Sequence, residues 1–148
     1  MAVFLADEQD RPVDGEQLVA LARHVLAEQR VPEDMEVSLL LVDVDTIAEL
    51  NAEHLGTTGP TDVLAFPIDR PGEALPDVPA VLGDVVLCPA IAEAQAPTLG
   101  RSPAAELRLL TVHGLLHLLG MDHAEQAAER EMFALTDQLL ASFAAVER

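Results

Sequence analysis

The chain has 148 residues, half of them hydrophobic, and a net charge of −18, and all eight of its basic residues are arginine. This length suffices for one domain with its own core, and we expect a single domain over residues 1–148. The single cysteine, Cys88, excludes an internal disulfide and favours a reducing compartment. The sequence has neither a signal-peptide pattern nor the roughly 20 apolar residues that span a bilayer, so we predict a cytoplasmic protein without a membrane partner. The acidity argues against strong sequence-independent binding to phosphates.

Apolar spacing predicts two strands and two helices in the first part of the chain. Residues 2–6 form a short predicted strand. Asp14 is the predicted N-cap of an amphipathic helix over residues 15–30. A buried strand over 36–43 and a short helix over 45–54 follow.

The rest of the chain predicts two strands and three helices. After a loop at 56–60, residues 63–66 form a strand that Pro67 stops. The proline-rich stretch 69–80 is predicted to be a mobile loop, and residues 81–88 are a further strand. The predicted helices are 89–96, 103–119 and 125–146. Together these elements predict an α+β fold, in which helices pack against a sheet of about four strands.

Three of the five histidines fall within eleven residues. His113 and His117 are four apart on a predicted helix, so their side chains share one face with Cβ atoms about 5–6 Å apart. Gly120 suits a left-handed helix end, after which the turn can bring His123 back to the same point. The spacing therefore predicts a three-histidine metal site, against the alternative of histidines satisfied near the core.

Three neutral nitrogens suit zinc, and an open fourth position would make the site catalytic. We expect one Zn²⁺ per chain, bound by His113, His117 and His123, that lowers the pKa of a water toward about 7. His113 and Asp122 are the candidate catalytic residues. Asp122 either orients a ligand histidine or caps the turn before the last helix.

The residue after the first histidine narrows the reaction. Zinc peptidases carry a glutamate there as general base, whereas this chain has Gly114. Peptide hydrolysis is therefore disfavoured. Phosphodiester hydrolysis stays open, because a metal can stabilise the charge on the phosphate.

Several segments of the chain resemble those of a known family. The run His113–His123 resembles the His-Gly-x-Leu-His-Leu-x-Gly-x-Asp-His motif of the YbeY endoribonucleases. Further segments agree in order and spacing: Leu50-Asn51, Pro60–Pro67, Leu82-Gly83-Asp84 and Glu131-Met132.

The resemblance implies a mixed sheet of about four strands with about five helices. It implies a zinc-dependent, single-strand-specific endoribonuclease that acts in 16S rRNA 3′-end maturation and ribosome quality control. Its partners would be the 16S rRNA precursor, the small ribosomal subunit and assembly factors.

Departures and neighbouring residues qualify this assignment. Leu55 stands where many relatives carry an arginine, and Ala65 replaces the usual serine. His54, Thr61 and Asp62 are the candidate substrate-binding residues. His54 is otherwise a solvent-facing helix end, and the Thr61-Asp62 pair is otherwise a turn and cap at the start of a strand.

Several polar residues lie close to the motif in sequence. We expect Glu106 to be solvated in the first turns of its helix. Asp84 is predicted either to support the metal site or to face a sheet edge. Arg101 and Arg108 form either a basic rim or a solvated pair.

Two other functions remain as alternatives to the endoribonuclease. The first is a non-catalytic ribosome-assembly factor with a zinc site, which the acidity and Leu55 favour. The second is a zinc peptidase, which would need a general base that Gly114 cannot supply.

Overall fold

The computed structural model describes residues 2–55, 61–71, 80–121 and 126–147, and the side chain of Leu55 is not described. The strands are β1 (Ala2–Asp7), β2 (Met35–Leu41), β3 (Val63–Pro67) and β4 (Ala80–Leu87). The helices are α1 (Gly15–Glu28), α2 (Val44–Leu55), α3 (Pro89–Gln95), α4 (Pro103–Leu118) and α5 (Gln126–Glu147), with a short 3-10 turn at Pro97–Leu99.

The four strands form one mixed sheet in the order β1-β2-β4-β3. β1 runs parallel to β2, and β2 runs parallel to β4. β3 runs antiparallel to β4 and lies at the edge of the sheet. The predicted α+β fold with a mixed four-stranded sheet and five helices is therefore confirmed for the described residues.

A main hydrophobic core fills one face of the sheet. It joins residues of β2 and β4 to the apolar faces of α1, α4 and α5, with Leu21, Leu39, Leu87, Leu115 and Met132 fully or nearly fully buried. Burying such a side chain stabilises the fold by roughly 1.5–3 kcal/mol. α4 lies at the centre of this layer, in contact with α1, α3, α5, β3 and β4.

A smaller core covers the other face of the sheet near β3. There α2 brings Ile47 and Leu50 against Leu64, Phe66 and Val86. Successive strand residues point to opposite faces, so α2 and α4 lie on opposite sides of β3. This division decides which candidate residues can meet.

The predicted elements agree with the structure to within one or two residues at most ends. Asp14 caps α1 as expected, since its carboxylate accepts the backbone N–H of Gln17 at 3.1 Å. The loop predicted at 56–60 and most of the one at 69–80 lie outside the described residues. Among the described helices, none is long and apolar enough to cross a membrane.

Candidate metal centre and cleft

α4 carries His113 and His117 one helical turn apart. The helix begins at Pro103, and the Ser102 hydroxyl caps it by accepting the backbone N–H of Ala105 at 3.1 Å. Residues four apart on a helix lie on one face. Both imidazoles are half-buried, at the boundary between the core and solvent.

The end of α4 turns the chain back sharply after His117. Gly120 has φ +93°, the left-handed region that favours glycine. The backbone N–H of Gly120 donates to the carbonyl oxygen of His117 at 3.0 Å, and that of Met121 donates to the carbonyl oxygen of Leu116 at 3.1 Å. These two bonds form a Schellman motif, in which backbone carbonyls at the helix end are satisfied by the reversing chain. The predicted glycine stop is confirmed.

Phe133 of α5 lies against the first histidine. The ring centroids of His113 and Phe133 are 5.0 Å apart with an interplanar angle of 58°. Phe133 is 43% exposed, so its ring lies at the protein surface beside His113. Sequence reasoning did not single out Phe133, since the helical spacing of α5 puts it off the apolar stripe.

A cleft of about 400 Å³ lies between α4 and the β3 edge. Its lining includes His117, Gly114, Ala65 and the predicted pair Thr61 and Asp62. The structure therefore brings Thr61 and Asp62 to the same cleft as His117. Both residues precede β3, which begins at Val63.

Gly114 allows α4 to approach the sheet closely. A Cβ atom at this position would lie 2.5 Å from Cγ1 of Val85 and 3.2 Å from Cγ2 of Val63. The direction in which a side chain would leave residue 114 is therefore filled by the sheet. A glutamate there would have to displace β-strand side chains, which gives a steric reason for the absent peptidase base.

Asp62 is tied to α3 and α4 by a chain of polar contacts. The Gln95 amide nitrogen donates to Oδ2 of Asp62 at 3.0 Å and to Oε2 of Glu106 at 3.1 Å. Arg101 donates to Oε1 of Glu106 at 3.3 Å. Glu106 is only 1% exposed, so the expectation of a solvated Glu106 is wrong. The reason is that the first turns of α4 pack against α3.

His54 lies on the other side of the sheet. It is an exposed residue in the last turn of α2, and its ring centroid is 5.0 Å from that of Phe66. Phe66 belongs to the core under α2, whereas His113 and His117 lie on α4. His54 therefore lies on the face of β3 opposite to the one that packs against α4.

Asp84 also lies away from the histidines. It is half-buried in β4, which is an interior strand, and it pairs with Ser38 and Phe66. Its neighbour Val85 faces α4, so Asp84 points to the opposite face. Neither predicted role for Asp84, support of the metal site or a place at a sheet edge, fits this position.

The two arginines near the motif are held by neighbours. Arg101 binds Glu106, and Arg108 donates to the side chain of Gln17 at 3.3 Å. The Gln17 side chain thus contacts α4.

The described part of the candidate metal site offers donors that suit zinc. His113 and His117 offer imidazole nitrogens from one helix face, the spacing that zinc sites on helices use. His123 and Asp122 lie outside the described residues. Among the described ranges, no group of three His, Cys, Asp or Glu side chains can hold a metal ion. A third protein ligand would therefore come from the part of the chain that the structure does not describe.

Comparisons with known proteins point to one family. A family model described as Endoribonuclease YbeY matches residues 4–144. An Endoribonuclease YbeY of Salinispora tropica is 54% identical over 97% of this chain and 96% of the relative. One of Acidothermus cellulolyticus is 53% identical over 100% of this chain and 94% of the relative. The solution structure of a Thermotoga maritima protein is similar with a TM-score of 0.62 at 30% identity, covering 95% of this chain and 88% of that one. The resemblance seen in the motif from His113 to His123 is thus confirmed, and the chain belongs to the YbeY endoribonuclease family.

Proposed function

We propose that this chain is a zinc-dependent endoribonuclease that hydrolyses phosphodiester bonds in single-stranded RNA. The observation that carries the proposal is the placement of His113 and His117 on one face of α4, with His117 lining a cleft beside β3. Relatives named as endoribonucleases match nearly the whole chain at about half identity, which supports the reaction class.

His113, His117 and His123 would hold the metal, with Asp122 as a supporting carboxylate. When bound, zinc lowers the pKa of a water toward about 7 and offsets the negative charge of a phosphate. The chain's own residues bind and orient the RNA. Thr61 offers a hydroxyl that can donate to a phosphate oxygen. Asp62 offers a carboxylate that can accept from a ribose hydroxyl or a base amino group.

We further propose a biological role in 16S rRNA 3′-end maturation and ribosome quality control in the cytoplasm. The partners would be the 16S rRNA precursor, the small ribosomal subunit and assembly factors. The net charge of −18 supports a need for such partners. A chain with only eight cations gains little from phosphate contacts alone, so docking on a larger assembly would supply the missing affinity.

The same charge favours one second candidate, a ribosome-assembly factor in which the zinc site only shapes the surface. Leu55 in place of an arginine points the same way. A zinc peptidase, by contrast, has no support, because the sheet fills the space next to Gly114 where the base would lie.

Cleavage of a labelled precursor 16S fragment tests the proposal. Zinc-loaded wild type should cut the single-stranded fragment, spare its duplex, and lose activity with a chelator and in His117→Ala. His24→Gln is a matched control, since His24 lies on α1 and contacts Ser142 of α5 at 2.7 Å. A loaded wild type that binds the small subunit but leaves RNA intact would favour the assembly factor.

A further inference from the structure

We propose that Gln95 is a positioning residue that holds the Asp62 carboxylate at the wall of the cleft, and that the buried Glu106 and Arg101 fix Gln95 in turn. This inference rests on the proposed function, since it assigns Asp62 a role toward RNA. Residues of α3 and of the first turns of α4 would then help to position the cleft wall.

The amide orientation of Gln95 follows from its partners. Its nitrogen lies 3.0 Å from a carboxylate oxygen of Asp62 and 3.1 Å from one of Glu106. Ionised carboxylates only accept hydrogen bonds, and an amide NH₂ has two hydrogens to donate. The reverse orientation would set the amide oxygen against two carboxylates. The two acceptors therefore fix the nitrogen on this side.

The burial of Glu106 makes this arrangement rigid. A carboxylate that is 1% exposed is costly unless donors surround it. Arg101 supplies a charged donor at 3.3 Å, and Gln95 supplies a second donor. If Gln95 turned away from Asp62, Glu106 would lose a hydrogen bond as well. The buried charge thus holds Gln95 in place for Asp62.

The backbone fixes Asp62 from a second direction. Its carbonyl oxygen accepts the N–H of Cys88 at 3.2 Å, and Cys88 is the residue that directly precedes α3. Side chain and main chain of Asp62 are therefore both attached to the segment that carries Gln95. Gln95 uses one lone-pair direction of a carboxylate that has about four. The carboxylate is thus positioned while acceptor directions stay available to a ligand in the cleft.

A double-mutant cycle tests the inference. The variants are Gln95→Met, Asp62→Ala and the pair, each loaded with zinc and assayed for kcat and KM on the single-stranded precursor 16S fragment. A misplaced contact group costs up to about 100-fold, so we expect each single change to lower kcat/KM by roughly 10- to 100-fold. Because Gln95 acts through Asp62, the Gln95→Met change should cost nothing further in the Asp62→Ala background.

Matched variants separate positioning from folding. Gln17→Met removes the same amide at a site bound to Arg108, and should leave kcat/KM unchanged. Glu106→Gln keeps an acceptor for Gln95 and should retain most activity, as a conservative rescue. Gln95→Asn keeps the amide but is too short to bridge both carboxylates, and it replaces Gln95→Met if that variant does not fold. Zinc content should stay near the wild-type value in each variant. Gln95→Met should melt somewhat lower than wild type, because the buried Glu106 loses one of its two donors.

The outcomes distinguish this inference from the proposed function. A wild type that cleaves no RNA overturns both. An active wild type in which Gln95→Met costs the same with and without Asp62 overturns the positioning role alone. Unchanged kcat/KM in a folded Gln95→Met variant does the same.

Discussion

Replacing Gly114 with alanine measures how closely α4 packs on the sheet. The new methyl carbon would lie 2.5 Å from Cγ1 of Val85, whereas carbon atoms in contact prefer about 3.5–4.0 Å. Val85 is fully buried and β-branched, so it cannot turn aside cheaply.

Two opposing effects determine how much Gly114→Ala changes the free energy of unfolding. Removing a glycine from a helix interior gains about 1 kcal/mol. Overpacking a closed core costs typically about 1–3 kcal/mol. We therefore expect Gly114→Ala to lower the free energy of unfolding by about 1 kcal/mol, or about 2–4 °C in Tm for a chain of this size.

Val85→Ala provides the matched control. Alone it should cost about 2–3 kcal/mol through lost burial and a cavity. In the double variant the Gly114→Ala methyl enters that space. The loss of unfolding free energy in the double variant should therefore be smaller than the sum of the two single losses by at least about 1 kcal/mol. Urea denaturation of the four proteins measures the coupling. Stabilisation by Gly114→Ala alone, as for an exposed helix glycine, would refute the close packing.

In a urea titration, Glu106→Ala should lower the unfolding free energy by about 2 kcal/mol, because it removes hydrogen bonds to a buried charge. Glu93→Ala, at an exposed ion pair, should lower it by less than about 1 kcal/mol. Equal effects of the two substitutions would contradict the buried network around Glu106. The hydroxyl and backbone N–H of Thr46 hold the pKa of the Asp43 carboxyl below its ordinary value, so this carboxylate stabilises the fold above that value and the contribution is lost as pH falls through the lowered pKa. Asp43→Asn should then lose less stability than wild type between about pH 5 and about pH 2, and parallel curves would count against the hydrogen bonds from Thr46 to Asp43. Leu55→Arg should bind single-stranded RNA more tightly and steepen the slope of log K against log salt by about 0.7, one phosphate contact; an unchanged slope would place residue 55 away from the RNA.

Local patterns made most of the fold predictable. The left-handed stop at Gly120 follows from its place at the end of an apolar helix, and Asp14 is a cap that side-chain chemistry dictates. The sheet order is different in kind, because it depends on contacts between distant segments. No local sequence pattern indicates that β4 lies between β2 and β3.

From helical spacing alone, the site was predictable only where its residues lie on one element. His113 and His117 share α4, so helical spacing was sufficient to pair them. The link from Asp62 to Gln95 spans 33 residues, and Glu106 looked like an ordinary solvated residue because its burial is caused by α3. His54 is close to Thr61 in sequence, yet strand alternation and the position of α2 put it on the other face of the sheet.

Elemental analysis of the purified protein tests most directly whether His113 and His117 bind one ion. Wild type loaded with zinc and desalted should hold about one zinc per chain, as expected for a three-histidine site. His117→Ala should lose it, and His24→Gln should keep it. A wild type that retains no zinc, or a His117→Ala variant that holds as much as wild type, would contradict the proposed metal centre.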